Sequence, residues 1–332
     1  MNFMENTSAA AILDKIKNSK NILINMDTRT DYDALCSSIV LNKFIQSLNI
    51  KSKVIHANKI NQTFNRFDFQ ADITTETDIS TLDLNLYDLI IFLDSGTKVH
   101  VSLNDKFLIP AHICSINIDH HVTNDMFGDL NYIHHIGSCC SVLYKFFKEL
   151  SLAIPKEYLD IMAVGLLTDT GFFKFDSAKP EDFRIAADML EQGVKIWEII
   201  SKLTSYEYID QIRFKELVYR NLKANFNKKY AYSTITLKEI RDSNINMDKV
   251  FIRHSDLIKY IEGIDMAFVI AEVESDPKYY ELSFRSKTPD VDVSKIAEIF
   301  GGGGHTTGAG ASLYGVSSIE EALDIVLKKL AL

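Results

Sequence analysis

The stretch Ile116–Asn124 reads INIDHHVTN, a short apolar run that delivers Asp119, His120 and His121 into whatever follows. Short apolar runs of this kind are buried strands. Three polar groups at the strand's end cannot all point into the core, because each one buried unpaired costs roughly 2–7 kcal/mol. They meet solvent or gather around an ion. The arrangement recurs along the chain. Asn21–Met26 (NILINM) precedes Asp27, Tyr87–Leu93 (YDLIIFL) precedes Asp94, and an apolar segment ending at Leu167 precedes Asp169. A nearly all-apolar run such as YDLIIFL is what a strand buried on both faces requires. Strands at Ser52–His56 and Ala111–Ile118 complete a series interleaved with helical periodicity. The first domain therefore reads as α/β, a mostly parallel sheet flanked by helices, whose ligands gather at the carboxyl ends of the strands.

The segment after the first strand carries Asp27, Asp31 and Asp33, followed by Ala34, Leu35, Ile39, Val40, Phe44 and Ile45 at helical spacing. One acid at a helix start is a cap. Three within seven residues repel one another unless a cation intervenes. With Asp94, His120 and Asp169, and with Asp119 and His121 beside them, the candidate ligands are hard oxygen donors with imidazole in the minority. Such a set suits Mn²⁺ or Mg²⁺ better than Zn²⁺ or Cu²⁺, and six ligands exceed what one ion needs. A two-ion site that activates water and clamps phosphoryl oxygens follows. His56 reads as structural, and the pair His134–His135 as solvated.

Helical patterns cover Ala9–Lys17, Ser138–Leu150 and the segment from Pro155 to Leu167, and then run from Pro180 to about Asn225. No Gly or Pro interrupts Lys195–Ala224, and Trp197 is placed between packed helices. Beyond Asn227 the period changes: Lys229–Thr236, Met266–Val273 and Tyr279–Ser286 read as strands and Val293–Phe300 as a helix. These shifts divide the chain into a catalytic domain at 1–190, a helical linker at 191–226 and a smaller α+β domain at 227–332. In the last, GGGGHTTGAGAS from Gly301 to Ser312 leaves backbone N–H groups able to approach an anion, near Arg285 and Lys287.

A net charge of −9 argues against coating long duplexes, which needs excess Lys and Arg. Four cysteines without CxxC spacing suggest neither a zinc ribbon nor a disulfide framework. A reducing cytoplasm is the expected compartment, with no signal peptide and no membrane span.

Taken in order, Asp31-Tyr32-Asp33, Asp94, Asp119-His120-His121 with Asn124, Thr168-Asp169-Thr170-Gly171, Arg285-Ser286 and Gly301–His305 resemble the motifs of the DHH/DHHA1 phosphoesterases, over almost the whole chain. Within that family the likeness is to the NrnA-like group of nanoRNases and 3′-phosphoadenosine 5′-phosphate (pAp) phosphatases. The resemblance implies a dinuclear Mn²⁺ site, with Mg²⁺ as an alternative. One ion would take Asp27, Asp31 and Asp94, the other Asp33, Asp94, His120 and Asp169. It implies that His121 contacts the scissile phosphate, that Asp119 supports the histidines, and that Arg285, Ser286, Gly303, Gly304 and His305 bind the nucleotide. The implied substrates are very short RNA such as pGpG or pApA, and pAp, with a homodimer as the implied assembly. Two positions depart from the family pattern: Asp27 stands where its first motif begins with His, and His100 where an Arg often follows the strand-end Asp. Alternatives are an inorganic pyrophosphatase, a nucleotide-binding regulatory protein, and a long-substrate nuclease of the RecJ kind.

Overall fold

Strand β1 (Asn21–Met26) is buried beyond its first residue, and β4 (Leu89–Leu93) throughout. A strand covered on both faces has to lie inside a sheet. The structure is a computed structural model that describes residues 6–60, 64, 66–69, 73–204, 207–250, 254–273 and 279–330. It has two compact units, 1–206 and 207–332.

In the first unit β1 pairs with both β2 (Lys51–Ile55) and β4. Strands β3 (Ile73–Thr74), β5 (Cys114–Asp119) and β6 (Leu130–Ile133) complete a six-stranded, all-parallel sheet of order β3-β2-β1-β4-β5-β6. The chain winds outward from β1 in one direction and returns to β4 to wind in the other. The carboxyl ends of β1 and β4 therefore flank the point where a crevice opens in sheets of this type. Alternate residues divide between two cores. Ile22, Ile24, Leu89, Ile91, Leu93, Ile116 and Ile118 face the helices α1 (Ala9–Lys17), α2 (Tyr32–Ser47), α3 (Cys139–Glu149) and α4 (Lys156–Asp169). Leu23, Ile55, Ile90 and Phe92 face a layer that includes Ile79, Leu84 and Val101, from short 3-10 turns rather than α-helices. Each fully buried Leu, Ile or Phe contributes about 1.5–3 kcal/mol.

The second unit holds a six-stranded mixed sheet, order β11-β12-β10-β9-β8-β7. Its strands are β7 (Lys223–Asn225), β8 (Tyr230–Ile235), β9 (Met266–Val273), β10 (Tyr279–Ser286), β11 (Gly303–His305) and β12 (Gly308–Tyr314). Only β8 and β9 run parallel. Helices α9 (Val293–Glu298) and α10 (Ile319–Lys329) share one core with the sheet. Helix α7 (Ile209–Arg220) packs into the other, together with α8 (Leu237–Asp242).

The helical pattern from Pro180 onward consists of α5 (Pro180–Glu191), α6 (Ile196–Thr204) and α7, and it stops short of Asn225, because Lys223–Asn225 pairs with β8 as strand β7. The non-helical stretch at Glu207 and Tyr208, before α7, has a physical reason. Ile199 of α6 is buried in the first unit's core, whereas Phe214, Leu217 and Val218 of α7 are buried in the second's. Trp197 is 68% exposed and packs between no helices. His56, by contrast, is buried, with Nδ1 2.7 Å from the Asn58 carbonyl. Of the two neighbouring histidines, His135 is exposed, while His134 is half-buried with its ring centroid 4.5 Å from that of Tyr132.

Candidate metal centre

Three strand or helix ends of the first unit converge. Asp94, directly after β4, takes the left-handed conformation (φ 57°). Non-glycine residues pay of order 1–3 kcal/mol for this, and such strain collects at functional sites. The turn continues through Gly96, where a Cβ would lie 3.2 Å from His121 Cβ. Glycine thus lets the Asp94 turn and the His121 ring approach. Strand β5 ends in Asp119, followed by His120 and His121, and α4 ends in Asp169.

Two groups of ligand atoms lie within 4.8 Å of one another: Asp94, Asp119, His120 and His121, and Asp33, His120 and Asp169. His120 belongs to both. Its Nδ1 is 3.1 Å from the Ile136 carbonyl, which fixes Nδ1 as the protonated nitrogen and leaves Nε2 as the ligand. Nε2 stands 3.2 Å from Asp94 Oδ1 and 3.3 Å from Asp169 Oδ2. Asp94 Oδ1 is buried, and the His120 ring is the only hydrogen-bonding partner it has among the described residues. A buried carboxylate oxygen placed beside an imidazole nitrogen in this way suits a divalent cation held by both. So do the pKa directions. Burial first, and then the Asp33 charge, push Asp94 well above the ordinary carboxylate range. Burial pushes Asp169 up to about 7, and Asp33 is likewise raised by burial. Unit charges about 5 Å apart repel by roughly 3 kcal/mol at an effective dielectric of ~20, a cost a divalent cation removes.

Asp33 is held by the start of α3, whose Cys139 and Cys140 N–H groups donate to its two oxygens at 2.5 and 3.0 Å. Gly165 of α4 lies against it, and a Cβ there would come within 2.6 Å of Asp33 Oδ1 and 2.4 Å of Cys140 Sγ. The start of α3 is itself pinned by Asp182, which is fully buried and accepts from Gly137 N, Lys179 N and Ser141 Oγ at 2.7–2.9 Å. Asp119 holds its neighbours in the same way. Its Oδ1 accepts from His121 Nδ1 at 2.7 Å, and its Oδ2 accepts from Asn124 Nδ2 at 2.5 Å. Burial alone would raise Asp119, but these bonds outweigh it and the pKa is lowered.

Asp27 and Asp31 stand outside both groups. Asp31 caps α2, accepting from Asp33 N and Ala34 N. Asp27 is buried, and its Oδ1 accepts from the backbone N and Nε of Arg29. Arg29 and Asp182 are contributors that sequence reasoning missed. Only the Pro180-Glu181-Asp182 helix start pointed to the second, and nothing local pointed to the first.

The residues expected to bind substrate lie in the second unit, on adjacent strands. Arg285 of β10 is in register with Gly308 of β12, and Gly308 with His305 of β11. A Cβ at Gly308 would meet the Arg285 guanidinium at 3.1 Å, so the head group lies over that glycine. Arg285 is buried and donates through Nε to Asp256 and through Nη1 to the Phe284 carbonyl. Ser286 is buried, 3.4 Å from the Thr306 carbonyl. The glycine run serves the backbone in part: Gly301 N and Gly302 N close the end of α9, and a Cβ at Gly302 would sit 2.1 Å from the Gly310 carbonyl. These two amides are therefore not offered to an anion. The side chain of His305 lies outside the described residues.

The chain is similar to known proteins along most of its length. The family model "DHH family, N-terminal domain" matches residues 21–166, and "DHHA1 domain" matches residues 227–332. The chain is 26% identical over 321 residues to the probable bifunctional oligoribonuclease and PAP phosphatase NrnA of Streptococcus mutans, covering 95% of this chain and 96% of that one. It is 30% identical over 227 residues to the bifunctional oligoribonuclease and PAP phosphatase NrnA of Thermus thermophilus, covering 66% of this chain and 64% of the relative. A crystal structure of an exopolyphosphatase-related protein from Bacteroides fragilis superposes with TM-score 0.85 at 22% identity, over 97% of this chain and 95% of the other.

Proposed function

Because the chain belongs to the DHH/DHHA1 family, we propose that it is a metal-dependent nucleotide phosphoesterase. It cuts very short oligoribonucleotides such as pGpG and pApA to 5′-mononucleotides, converts pAp to AMP, or does both. The single observation that carries the reading is the convergence on His120 Nε2 of Asp94 and Asp169, with Asp33 beside them and Asp119–His121 adjoining. Relatives named as oligoribonucleases and PAP phosphatases, one of them matched along nearly its whole length, support the substrate class. Among the described residues no helix is long and apolar enough to cross a membrane.

Asp33, Asp94, His120 and Asp169 would hold one Mn²⁺ or Mg²⁺, and Asp27 and Asp31 with Asp94 a second. When bound, such ions supply Lewis-acid charge that polarises phosphoryl oxygens and activates water. The chain's own groups do the rest. Asp119 keeps His121 in the Nδ1–H tautomer, with its ring fixed beside the ligand cluster to contact the scissile phosphate. Ile136 keeps Nε2 of His120 as the ligand nitrogen. Arg285, Ser286, Gly303, Gly304 and His305 of the second unit would bind the phosphate and sugar of the nucleotide.

The test is product analysis by chromatography after incubation of pGpG, pAp and pyrophosphate with purified protein and Mn²⁺. Release of GMP from pGpG, or of AMP from pAp, abolished by EDTA, is expected. Pyrophosphate cleaved faster than either nucleotide would replace the reading with a pyrophosphatase.

A further inference from the structure

The carboxyl ends of β1 and β4 are joined by Asp27, a ligand proposed for the second ion, and by two side chains that the metal reading does not use. Asp27 follows β1, and His100 lies in a 3-10 turn (Lys98–Val101) that follows β4. Arg29 links them. Its backbone N and Nε donate to Asp27 Oδ1 at 2.8 and 3.3 Å, and its Nη2 donates to His100 Nδ1 at 2.7 Å. The two loops are further tied by Thr28 N donating to the His100 carbonyl at 2.9 Å. Arginine has five N–H donors and no acceptor. His100 Nδ1 must therefore be unprotonated, and the imidazole neutral. Two donors are thus committed, which leaves three without a protein acceptor among the described residues. The side chain is 65% exposed, whereas that of Asp27 is only 8% exposed.

A guanidinium held this way is oriented in advance at the place where the strand order reverses. Most long surface arginines must lose about 2 kcal/mol of rotamer freedom before they can bind an anion. Here a buried carboxylate and an imidazole have already fixed the head. The fork geometry matches two oxygens of one phosphate, and the surrounding acids make a fixed cation the feature an anionic ligand needs on this side.

We infer that Arg29, positioned by Asp27 and His100, is an anion-binding residue that grips a phosphate group of the ligand in the crevice between β1 and β4. The identity of that ligand as a nucleotide rests on the phosphoesterase reading. The grip on phosphate does not. His100 acts through Arg29 and is a positioning residue, and Asp27 orients Arg29 through Oδ1 besides its proposed part in the second ion site.

The experiment is calorimetric titration of AMP and of adenosine into the Mn²⁺-loaded full chain, for wild type, Arg29→Gln and Arg29→Lys. Wild type should bind AMP at least tenfold more tightly than adenosine. Arg29→Gln should weaken AMP binding about tenfold, leave adenosine binding within twofold, and bind Mn²⁺ no more weakly than wild type. Arg29→Lys should recover only part of the loss, because it keeps the charge without the fork. For the positioning role, His100→Asn, whose amide oxygen can accept from Nη2, should retain more AMP affinity than His100→Ala, with equal Mn²⁺ affinity. Arg29→Gln binding AMP within twofold of wild type, or wild type binding AMP no tighter than adenosine, overturns the inference. Failure of the phosphoesterase reading shows separately, as wild-type protein that turns over no nucleotide.

Discussion

Raising the pH should weaken the metal-free protein, and Mn²⁺ should cancel that weakening. In the metal-free site burial pushes Asp169 from an ordinary value of 3.8 up to about 7. A carboxyl whose folded pKa lies above its unfolded one binds more protons in the native state, so stability falls as pH rises between the two values. His120 acts in the same direction. Burial opposes its charged form, but Asp94 and Asp169 outweigh burial and raise its pKa well above 6.5. Its contribution is therefore full below the unfolded pKa and lost as pH rises through the folded one. For Asp169 the window from pH 5.5 to 7 spans about 1.5 units, or roughly 2 kcal/mol at 1.36 kcal/mol per unit. For a unit of this size, 1 kcal/mol moves the melting temperature by about 2–4 °C. Mn²⁺ requires the deprotonated ligands and takes the protons' place. Melting curves recorded in EDTA and in Mn²⁺ should therefore show a metal increment about 4–8 °C larger at pH 8 than at pH 5.5. An increment equal at the two pH values, or larger at pH 5.5, refutes the reasoning, because the carboxylates would not then be sharing protons in the empty site.

Three further outcomes follow from individual contacts. Gly165→Ala forces a methyl between Asp33 and Cys140, so it should cost about 1–3 kcal/mol in urea unfolding and weaken Mn²⁺ binding by calorimetry; an unchanged Mn²⁺ affinity would separate Asp33 from the metal. Asp182→Asn loses part of the acceptor set that pins Gly137 and Ser141 at the start of α3, at a cost of about 1–3 kcal/mol in the same assay. Unchanged stability would show that this buried cluster does not hold the helix start. Asp119→Asn removes the carboxylate that fixes His121 and should lower turnover about 10–100-fold, the range seen when a ligand's supporting partner is lost. Turnover at the wild-type rate would remove His121 from the reaction.

The order of strands and acids along the first unit was legible because burial writes itself locally. YDLIIFL has to be a strand covered on both faces, and an acid straight after such a strand sits at its carboxyl end. The strands Met266–Val273 and Tyr279–Ser286, and the helix Ala9–Lys17, fall where the periodicity put them. What could not be read was set by contacts distant in sequence. β3 is two residues long and exists only through pairing with β2, and β11 is a glycine-rich edge with no apolar alternation to reveal it. The break between α6 and α7 comes from two cores competing for one amphipathic pattern, with no Gly or Pro to announce it. At the site, Asp94, His120 and Asp169 converge as their positions suggested. The partners that hold the site do not follow from any motif: Asp182 is separated from Gly137 by 45 residues, and Arg29 from His100 by 71. The glycine run was read as an anion cradle, yet two of its amides finish a helix. Flexibility and availability look alike in a sequence.

The most direct test of the account is a Mn²⁺ titration of pGpG and pAp hydrolysis by wild type and Asp94→Asn in parallel. Asp94 belongs to both proposed ion sites. Turnover that rises with Mn²⁺ in wild type, and falls at least a hundredfold in a folded Asp94→Asn, is the result predicted here. Turnover that ignores Mn²⁺ and EDTA, or that survives in Asp94→Asn, would contradict it.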